Sequence, residues 1–222
     1  MEKTISLIRT GKLSRKSNKS IIETDLDSIR STFFGKFYEG IIAQWLQEKE
    51  GFNHQKGKPC VYWNEILELK PCDNFFISLN KSLRYKKEHN KHTNSDGLFE
   101  KNGELYLWEA KNWPKWDEGK KSSYEQVKNL LGESPYILAK QVKICGQNKG
   151  IKGILFSWWD EFKNYEELQN YISSLLKISF KFYFTSNIID DCRKNKYDWY
   201  IKLINEQKDN IVNFCDGLLG IK

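Results

Sequence analysis

The stretch from Ser95 to Lys111, which reads SDGLFEKNGELYLWEAK, predicts a β-hairpin and decides the fold of the chain around it. Two runs rich in apolar residues flank Asn102-Gly103, and Asn-Gly is a favoured pair in the two-residue turn of a hairpin. With that turn Lys101 pairs with Glu104. Counting outward along both strands then brings Asp96 opposite Glu109.

Three charged residues are therefore predicted to meet at the open end of the hairpin. Opposed residues of an antiparallel pair share a face, with Cβ atoms roughly 4.5–5.5 Å apart. Lys111 lies two residues beyond Glu109 and falls on that face as well. Two opposed carboxylates repel each other, and a divalent cation removes the conflict. Ligation by oxygen atoms alone favours Mg²⁺ or Mn²⁺.

The alternative is a solvated hairpin end on which these charges have no task, and the apolar pattern argues against it. The face shared with the charged residues carries leucines, namely Leu98, Leu105 and Leu107. The opposite face carries aromatic residues, namely Phe99, Tyr106 and Trp108. Both faces are therefore predicted to be buried. Other Glu-x-Lys triplets, such as those at Glu68, Glu118 and Glu206, lack an opposed Asp on a hairpin.

Helices and strands are predicted on both sides of the hairpin from apolar periodicity and capping signals. An amphipathic helix over 31–49, ended by Gly51, and a strand-like run over 63–69 precede it. The capping box Ser122-x-x-Glu125 and the pair Ser134-Pro135 each begin a helix after it. The remaining predicted elements are a strand over 151–159, a helix over 164–177 capped by Asn164, a strand over 178–185 and a helix over 197–218. This order predicts an α/β sandwich with a central mixed sheet flanked by helices.

Asp96, Glu109 and Lys111, with the order helix, hairpin, helix, strand around them, resemble the PD-(D/E)xK nuclease superfamily and its restriction-endonuclease-like fold. Within that superfamily the chain looks most like a type II restriction endonuclease. Ser95 stands where the family name has Pro. Many members also carry a Glu on the first core helix, and Glu39 is the matching candidate here.

The resemblance implies metal-dependent hydrolysis of phosphodiester bonds that leaves a 5′-phosphate. Asp96, Glu109 and the backbone carbonyl of Ala110 would hold Mg²⁺, for which Mn²⁺ can substitute, and Glu39 would be the extra ligand of a second ion. Lys111 would orient the attacking water. The cation would stabilise charge on the scissile phosphate.

The charge distribution is typical of a protein that binds a phosphate backbone, since the net charge of +7 comes from clusters of lysine. The stretch 134–159 contains no acidic residue, and the stretch 81–92 is strongly basic. The candidate DNA contacts are Lys86, Lys87, Lys140, Lys143 and, just after the hairpin, Trp113, Lys115 and Trp116. The alternative for the lysines is a solvated surface, and for the tryptophans it is packing of the loop.

The length predicts one nuclease domain over 1–222, with a core over about 31–50 and 93–186. Segments 1–30, 51–92 and 187–222 are expected to serve DNA recognition or dimerisation. The basic first twenty residues lack the apolar region of a signal peptide, and no apolar run reaches membrane-spanning length. Five cysteines without a CxxC pair indicate reduced thiols, so a cytoplasmic location is expected.

Three functions remain open on the sequence. The first is a site-specific endonuclease on double-stranded DNA, expected to be a homodimer because one site cuts one strand. The second is a repair or recombination nuclease of the same fold, such as a junction resolvase. The third is a non-catalytic DNA-binding domain, against which the intact set of Asp96, Glu109 and Lys111 argues.

Overall fold

The structure is a computed structural model, and it describes residues 21–62, 65–66, 92–111, 123–133, 137–148 and 150–219. The helices within these ranges are α1 (Ile21–Glu50), α2 (Tyr124–Glu133), α3 (Leu138–Gln147), α4 (Tyr165–Leu176), α5 (Thr185–Asn195) and α6 (Asp198–Leu219). The strands are β1 (Asn53–Gln55), β2 (Cys60–Tyr62), β3 (His92–Asn94), β4 (Gly97–Lys101), β5 (Glu104–Lys111), β6 (Ile151–Trp158) and β7 (Ser179–Phe184).

Five of the described strands form one mixed sheet in the order β1-β4-β5-β6-β7. The pairs β1–β4 and β4–β5 are antiparallel, whereas β5–β6 and β6–β7 are parallel. The described strands β2 and β3 pair separately as an antiparallel ribbon. The predicted α/β architecture with a mixed central sheet between helices is confirmed.

The hairpin has the predicted turn and the predicted register. Asn102 and Gly103 both have positive φ, 54° and 79°, as the favoured two-residue turn requires. Lys101 pairs with Glu104, and the ladder continues to Gly97 opposite Trp108. One residue further, the backbone N–H of Asp96 donates to the carbonyl oxygen of Trp108 at 3.1 Å. The charged end of the hairpin thus follows directly from the paired strands.

Alternate side chains of β5 enter two separate apolar clusters, one on each side of the sheet. On the side that we call the α3 face, Leu107 packs in a cluster with residues of α2, α3 and α4. On the opposite side, the α1 face, Trp108 packs with Phe99 and with residues of α1, α5 and α6. The prediction that both faces of the hairpin are buried is confirmed.

Several local predictions differ from the structure. The capping box at α2 lies one residue later than predicted, because Ser123 Oγ accepts from Gln126 N and Gln126 Oε1 accepts from Ser123 N, both at 3.2 Å. Asn164 is the N-cap residue of α4, but it has a left-handed φ of 62° and its side chain makes no capping hydrogen bond. Ile66, in the run predicted as a strand, is helical.

Two helices extend or add to the predicted set. Helix α1 begins at Ile21, inside segment 1–30, which was expected to serve DNA recognition or dimerisation. Helix α5 follows β7 without a loop and was not predicted. The start proposed for α3 at Ser134-Pro135 lies outside the described residues, and the described helix begins at Leu138.

The apolar core is wider than the predicted core range. Strand β1 joins the main sheet, although it lies in the segment assigned to DNA recognition or dimerisation. Ile188, Ile189 and Cys192 of α5 are buried on the α1 face, together with Tyr200 of α6.

Among the described helices, none combines the length and the apolarity that a membrane crossing requires.

Candidate active site

The position of Asp96 is fixed by hydrogen bonds at the open end of the hairpin. Ser95 is buried, and its hydroxyl donates to the carbonyl oxygen of Trp108 at 2.6 Å and also lies 3.2 Å from the carbonyl oxygen of Gly97. The Asp96 carboxylate accepts the backbone N–H of Ala110 through Oδ2 at 2.8 Å. Ser95, at the position where the family name has Pro, therefore ties the chain to β5 just before Asp96.

Lys111 brings the predicted residues together. Its ammonium donates to Glu109 Oε1 at 2.6 Å and to the carbonyl oxygen of Ala110 at 3.2 Å. The same nitrogen lies 3.9 Å from Asp96 Oδ2. Oxygens of two carboxylates and one carbonyl therefore converge on a single positive charge, and these are the atoms that the family resemblance assigns to a metal ion.

Glu109 lies on the α3 face and is fully buried, with 0% of its side chain exposed. Helix α3 supplies two donors to it. Lys140 Nζ lies 2.8 Å from each carboxylate oxygen, and Gln141 Nε2 donates to Oε2 at 2.7 Å. Lys140 also donates to the carbonyl oxygen of Asn94 at 2.9 Å, which ties α3 to the chain just before the hairpin.

The electrostatics of Glu109 combine opposing effects. Burial raises the pKa of its carboxyl group, since a charged form is costly away from water. The positive charges of Lys111 and Lys140 lower the pKa in part, and the neighbouring Asp96 raises it. Such a buried carboxylate needs cations around it to remain ionised.

The role predicted for Lys140 needs correction. The sequence placed it among lysines that contact DNA, but it is buried against Glu109 and cannot lie on an open phosphate-binding surface. Lys143, on the same helix, is partly exposed. Gln141 is not among the predicted site residues, and the structure places it in contact with Glu109. The sequence signal for both was a Lys-Gln pair within an acid-free stretch.

Glu39 is not brought to this cluster. It pairs with Lys36 along the surface of α1 at 3.2 Å. Among the described residues, no three His, Cys, Asp or Glu side chains are grouped so that they could hold a metal ion. The predicted extra ligand is therefore absent from the arrangement of the described residues. The remaining predicted DNA contacts lie outside the described residues; they are Lys86, Lys87, Trp113, Lys115 and Trp116.

The residues present fit a divalent cation of the hard, oxygen-binding class. Mg²⁺ in proteins is commonly held by one or two carboxylates and keeps several water ligands. Asp96, Glu109 and the Ala110 carbonyl provide such a partial set, and the ammonium of Lys111 marks a point between them where positive charge is favourable. The chemistry of the donors selects against soft metals that require thiolate or imidazole.

Comparisons with protein-family models, with curated proteins and with solved structures found no match. The geometry of the site therefore carries the functional interpretation.

Proposed function

We propose that this protein is a metal-dependent DNA endonuclease that hydrolyses phosphodiester bonds, of the site-specific type II restriction kind. The observation that carries the proposal is the convergence of Asp96, Glu109 and the Ala110 carbonyl on the ammonium of Lys111. Two acids and a lysine at one end of a hairpin, with a parallel strand beside it, match the resemblance found in the sequence.

Asp96, Glu109 and the Ala110 carbonyl are the groups that would hold Mg²⁺ or Mn²⁺ in this proposal. A bound divalent cation supplies stabilisation of the negative charge that develops on the scissile phosphate and makes a water molecule more acidic. The restraint on Asp96 by Ala110 N–H supports the proposal, because it presents a carboxylate in a fixed orientation before any ligand arrives.

Lys111 is the residue proposed to act on the attacking water. Its side chain is 28% exposed, so the ammonium can reach solvent and substrate from its place at the end of β5. An ammonium at this point can donate to a water molecule and orient its lone pair towards phosphorus. It also adds positive charge next to the phosphate, where the transition state gains negative charge.

The proposed substrate is double-stranded DNA, and the net charge of +7 supports a polyanionic partner. The proposed assembly is a homodimer, because one catalytic centre cuts one strand and a two-fold axis relates the strands of a palindromic site. The partly exposed Lys143 remains a proposed phosphate contact.

The test is incubation of the purified protein with long DNA of mixed sequence in Mg²⁺ or in EDTA. Discrete fragments in Mg²⁺ alone are expected. A smear, or cutting of branched DNA only, would favour the repair or recombination nuclease, and intact DNA despite binding would favour a non-catalytic domain. Asp96→Asn is the inactive reference. Lys208→Ala, which alters a Glu-x-Lys triplet on the surface of α6, is the matched control that should cut normally.

A further inference from the structure

Both oxygens of the Glu109 carboxylate already accept hydrogen bonds from neighbouring side chains. A carboxylate offers about four lone-pair sites. In the structure Oε1 accepts hydrogen bonds from Lys111 and Lys140, and Oε2 accepts one from Gln141 and lies 2.8 Å from the ammonium of Lys140. A cation that binds Glu109 must therefore compete with these three donors, and the donors differ greatly in their freedom to move away.

Lys111 is the donor that can move. Its side chain is 28% exposed, and it lies at the end of β5. Lys140 is only 7% exposed, and the carbonyl oxygen of Asn94 holds the same ammonium in place. Moving Lys140 would cost two charge-assisted hydrogen-bonding partners in a buried setting, which is far more costly than turning Lys111 towards water.

Gln141 brings an unsatisfied polar atom close to the Glu109 carboxylate. Its amide nitrogen must face Glu109, because a carboxylate accepts only hydrogen-bond donors. Its Oε1 is thus turned away, and this buried oxygen has no partner among the described residues. A buried acceptor without a donor is unfavourable.

We propose that Lys140 is a positioning residue, a fixed internal cation that holds Glu109 in place and limits the affinity of the site for divalent ions, while Lys111 is the donor that yields to the ion. The inference rests on the proposed function and deepens it. A cation bound by Glu109 through Oε1 remains close to the charge of Lys140, and like charges at short range in a buried site repel strongly. Lys140 therefore lowers the affinity of the site for a divalent ion, but it keeps the Glu109 carboxylate in position before the ion binds.

The first experiment compares Lys140→Met with the wild-type protein by Mn²⁺ titration in a calorimeter and by melting in EDTA. Removing Lys140 leaves a buried carboxylate with one cation fewer, so we expect Tm in EDTA to fall by roughly 10 °C. We expect Mn²⁺ to bind at least about tenfold more tightly and to restore much of that Tm, because the ion takes over the charge of the lost ammonium.

Two further variants control that comparison. Lys152→Met removes an exposed lysine near the start of β6, away from the strand end at which Trp158 pairs with Lys111, and it should change neither Tm nor affinity measurably. Lys111→Met should lower Tm in EDTA by less than Lys140→Met does, since water can reach the carboxylate that Lys111 leaves. An equal or larger fall for Lys111→Met would overturn the assignment of fixed and moving lysines.

A double-variant cycle in EDTA separates charge compensation from simple packing. Glu109→Gln combined with Lys140→Met removes both charges, so the double variant should recover most of the Tm lost in Lys140→Met. The double variant also remains measurable if Lys140→Met alone fails to fold. Strictly additive losses would mean that Lys140 merely fills space, and the inference would be overturned.

The outcomes for the inference and for the proposed function are distinguishable. Unchanged or weaker Mn²⁺ binding by Lys140→Met overturns the inference even if the wild-type protein cuts DNA. Conversely, if the wild-type protein binds Mn²⁺, shows the predicted cycle and gains affinity in Lys140→Met but never cuts DNA, the inference is supported and the proposed nuclease function fails.

Discussion

Glu109 and Trp108 are neighbours on β5, but the two faces of the sheet treat their polar groups in different ways. On the α1 face, the indole N–H of Trp108 donates to the buried hydroxyl of Ser157 at 2.9 Å. Both groups are neutral, and the indole donor needs no charged partner. On the α3 face, the Glu109 carboxylate requires two lysines and an amide. The first arrangement serves packing with little electrostatic cost, whereas the second is costly to bury.

The difference matters because a buried ionic cluster is weak support for stability. Apolar residues of similar volume are often as stable or more stable in the same place. The α3 face nevertheless concentrates Glu109, Lys140 and Gln141 beside a fully buried Leu107. The function proposed for the end of β5 would account for a cluster of this cost, whereas folding alone does not.

The largest expected effect is on catalysis and falls on one face only. Under the proposed function, Asp96→Asn and Glu109→Gln should lower Mg²⁺-dependent DNA cleavage by at least about a thousandfold, because each removes a carboxylate that would hold the cation. DNA binding should stay within about tenfold, since phosphate affinity comes from other cations. Initial rates on a supercoiled plasmid and filter binding in EDTA measure the two quantities.

Cleavage by either variant at near the wild-type rate would contradict the assignment of the site. Ser157→Ala is the matched change on the α1 face. Its cleavage rate should remain within a few-fold of the wild-type rate at a temperature well below its Tm. A severe loss of cleavage in Ser157→Ala would contradict the assignment of function to the α3 face alone.

The next effect separates Lys111 from lysines elsewhere. Lys111→Ala should reduce the cleavage rate by roughly a hundredfold. Lys111→Arg should be nearly as poor, because a planar guanidinium cannot replace a compact ammonium beside the attacking water. Single-turnover cleavage with saturating enzyme isolates the chemical step. Lys208→Ala should behave like wild type in the same assay, and an active Lys111→Ala would show that the hairpin lysine is not needed for chemistry.

The sequence was sufficient to predict the hairpin part of the site because its signals are local. Asn102-Gly103 set the turn, the turn set the register, and the register brought Asp96 and Glu109 to one end. Lys140 is 31 residues from Glu109 along the chain, and the contact depends on how α3 packs against the sheet. No sequence period or motif predicts a contact at that separation, so Lys140 was predicted from its positive charge alone to contact DNA.

Helix α5 was missed for a related reason. Its sequence, TSNIIDDCRKN, has weak intrinsic helix propensity. Its first turn is also not capped by a side-chain hydrogen bond. The helix is stabilised by burial of Ile188, Ile189 and Cys192 on the α1 face. Tertiary packing thus overrides local preference there, whereas the hairpin needs no tertiary partner to be predicted.

A smaller effect tests stability on the α1 face. Ser157→Ala leaves the buried N–H of Trp108 without its acceptor, which should lower the free energy of unfolding by about 1–3 kcal/mol. Adding Trp108→Phe removes the unpaired donor as well. The double variant should therefore recover part of the lost free energy of unfolding, less the packing that is lost because the phenyl ring is smaller than the indole. Urea unfolding followed by circular dichroism measures both. No loss in Ser157→Ala would mean that the neutral pair contributes nothing to this face.

The smallest expected effect concerns cysteine reactivity, and it tests whether both faces are equally well packed. Cys145 packs against the cluster of the α3 face, and Cys192 is buried on the α1 face. Burial raises the pKa of each thiol to about 11. At pH 8 the thiolate fraction of each is therefore roughly a thousandth, and the thiolate is the reactive form. Cys60 is exposed. Iodoacetamide at pH 8 should label Cys60 within minutes and leave Cys145 and Cys192 unlabelled, as peptide mapping by mass spectrometry would show. Labelling of Cys145 alone as fast as Cys60 would mean that the α3 face opens around its ionic cluster while the α1 face stays closed.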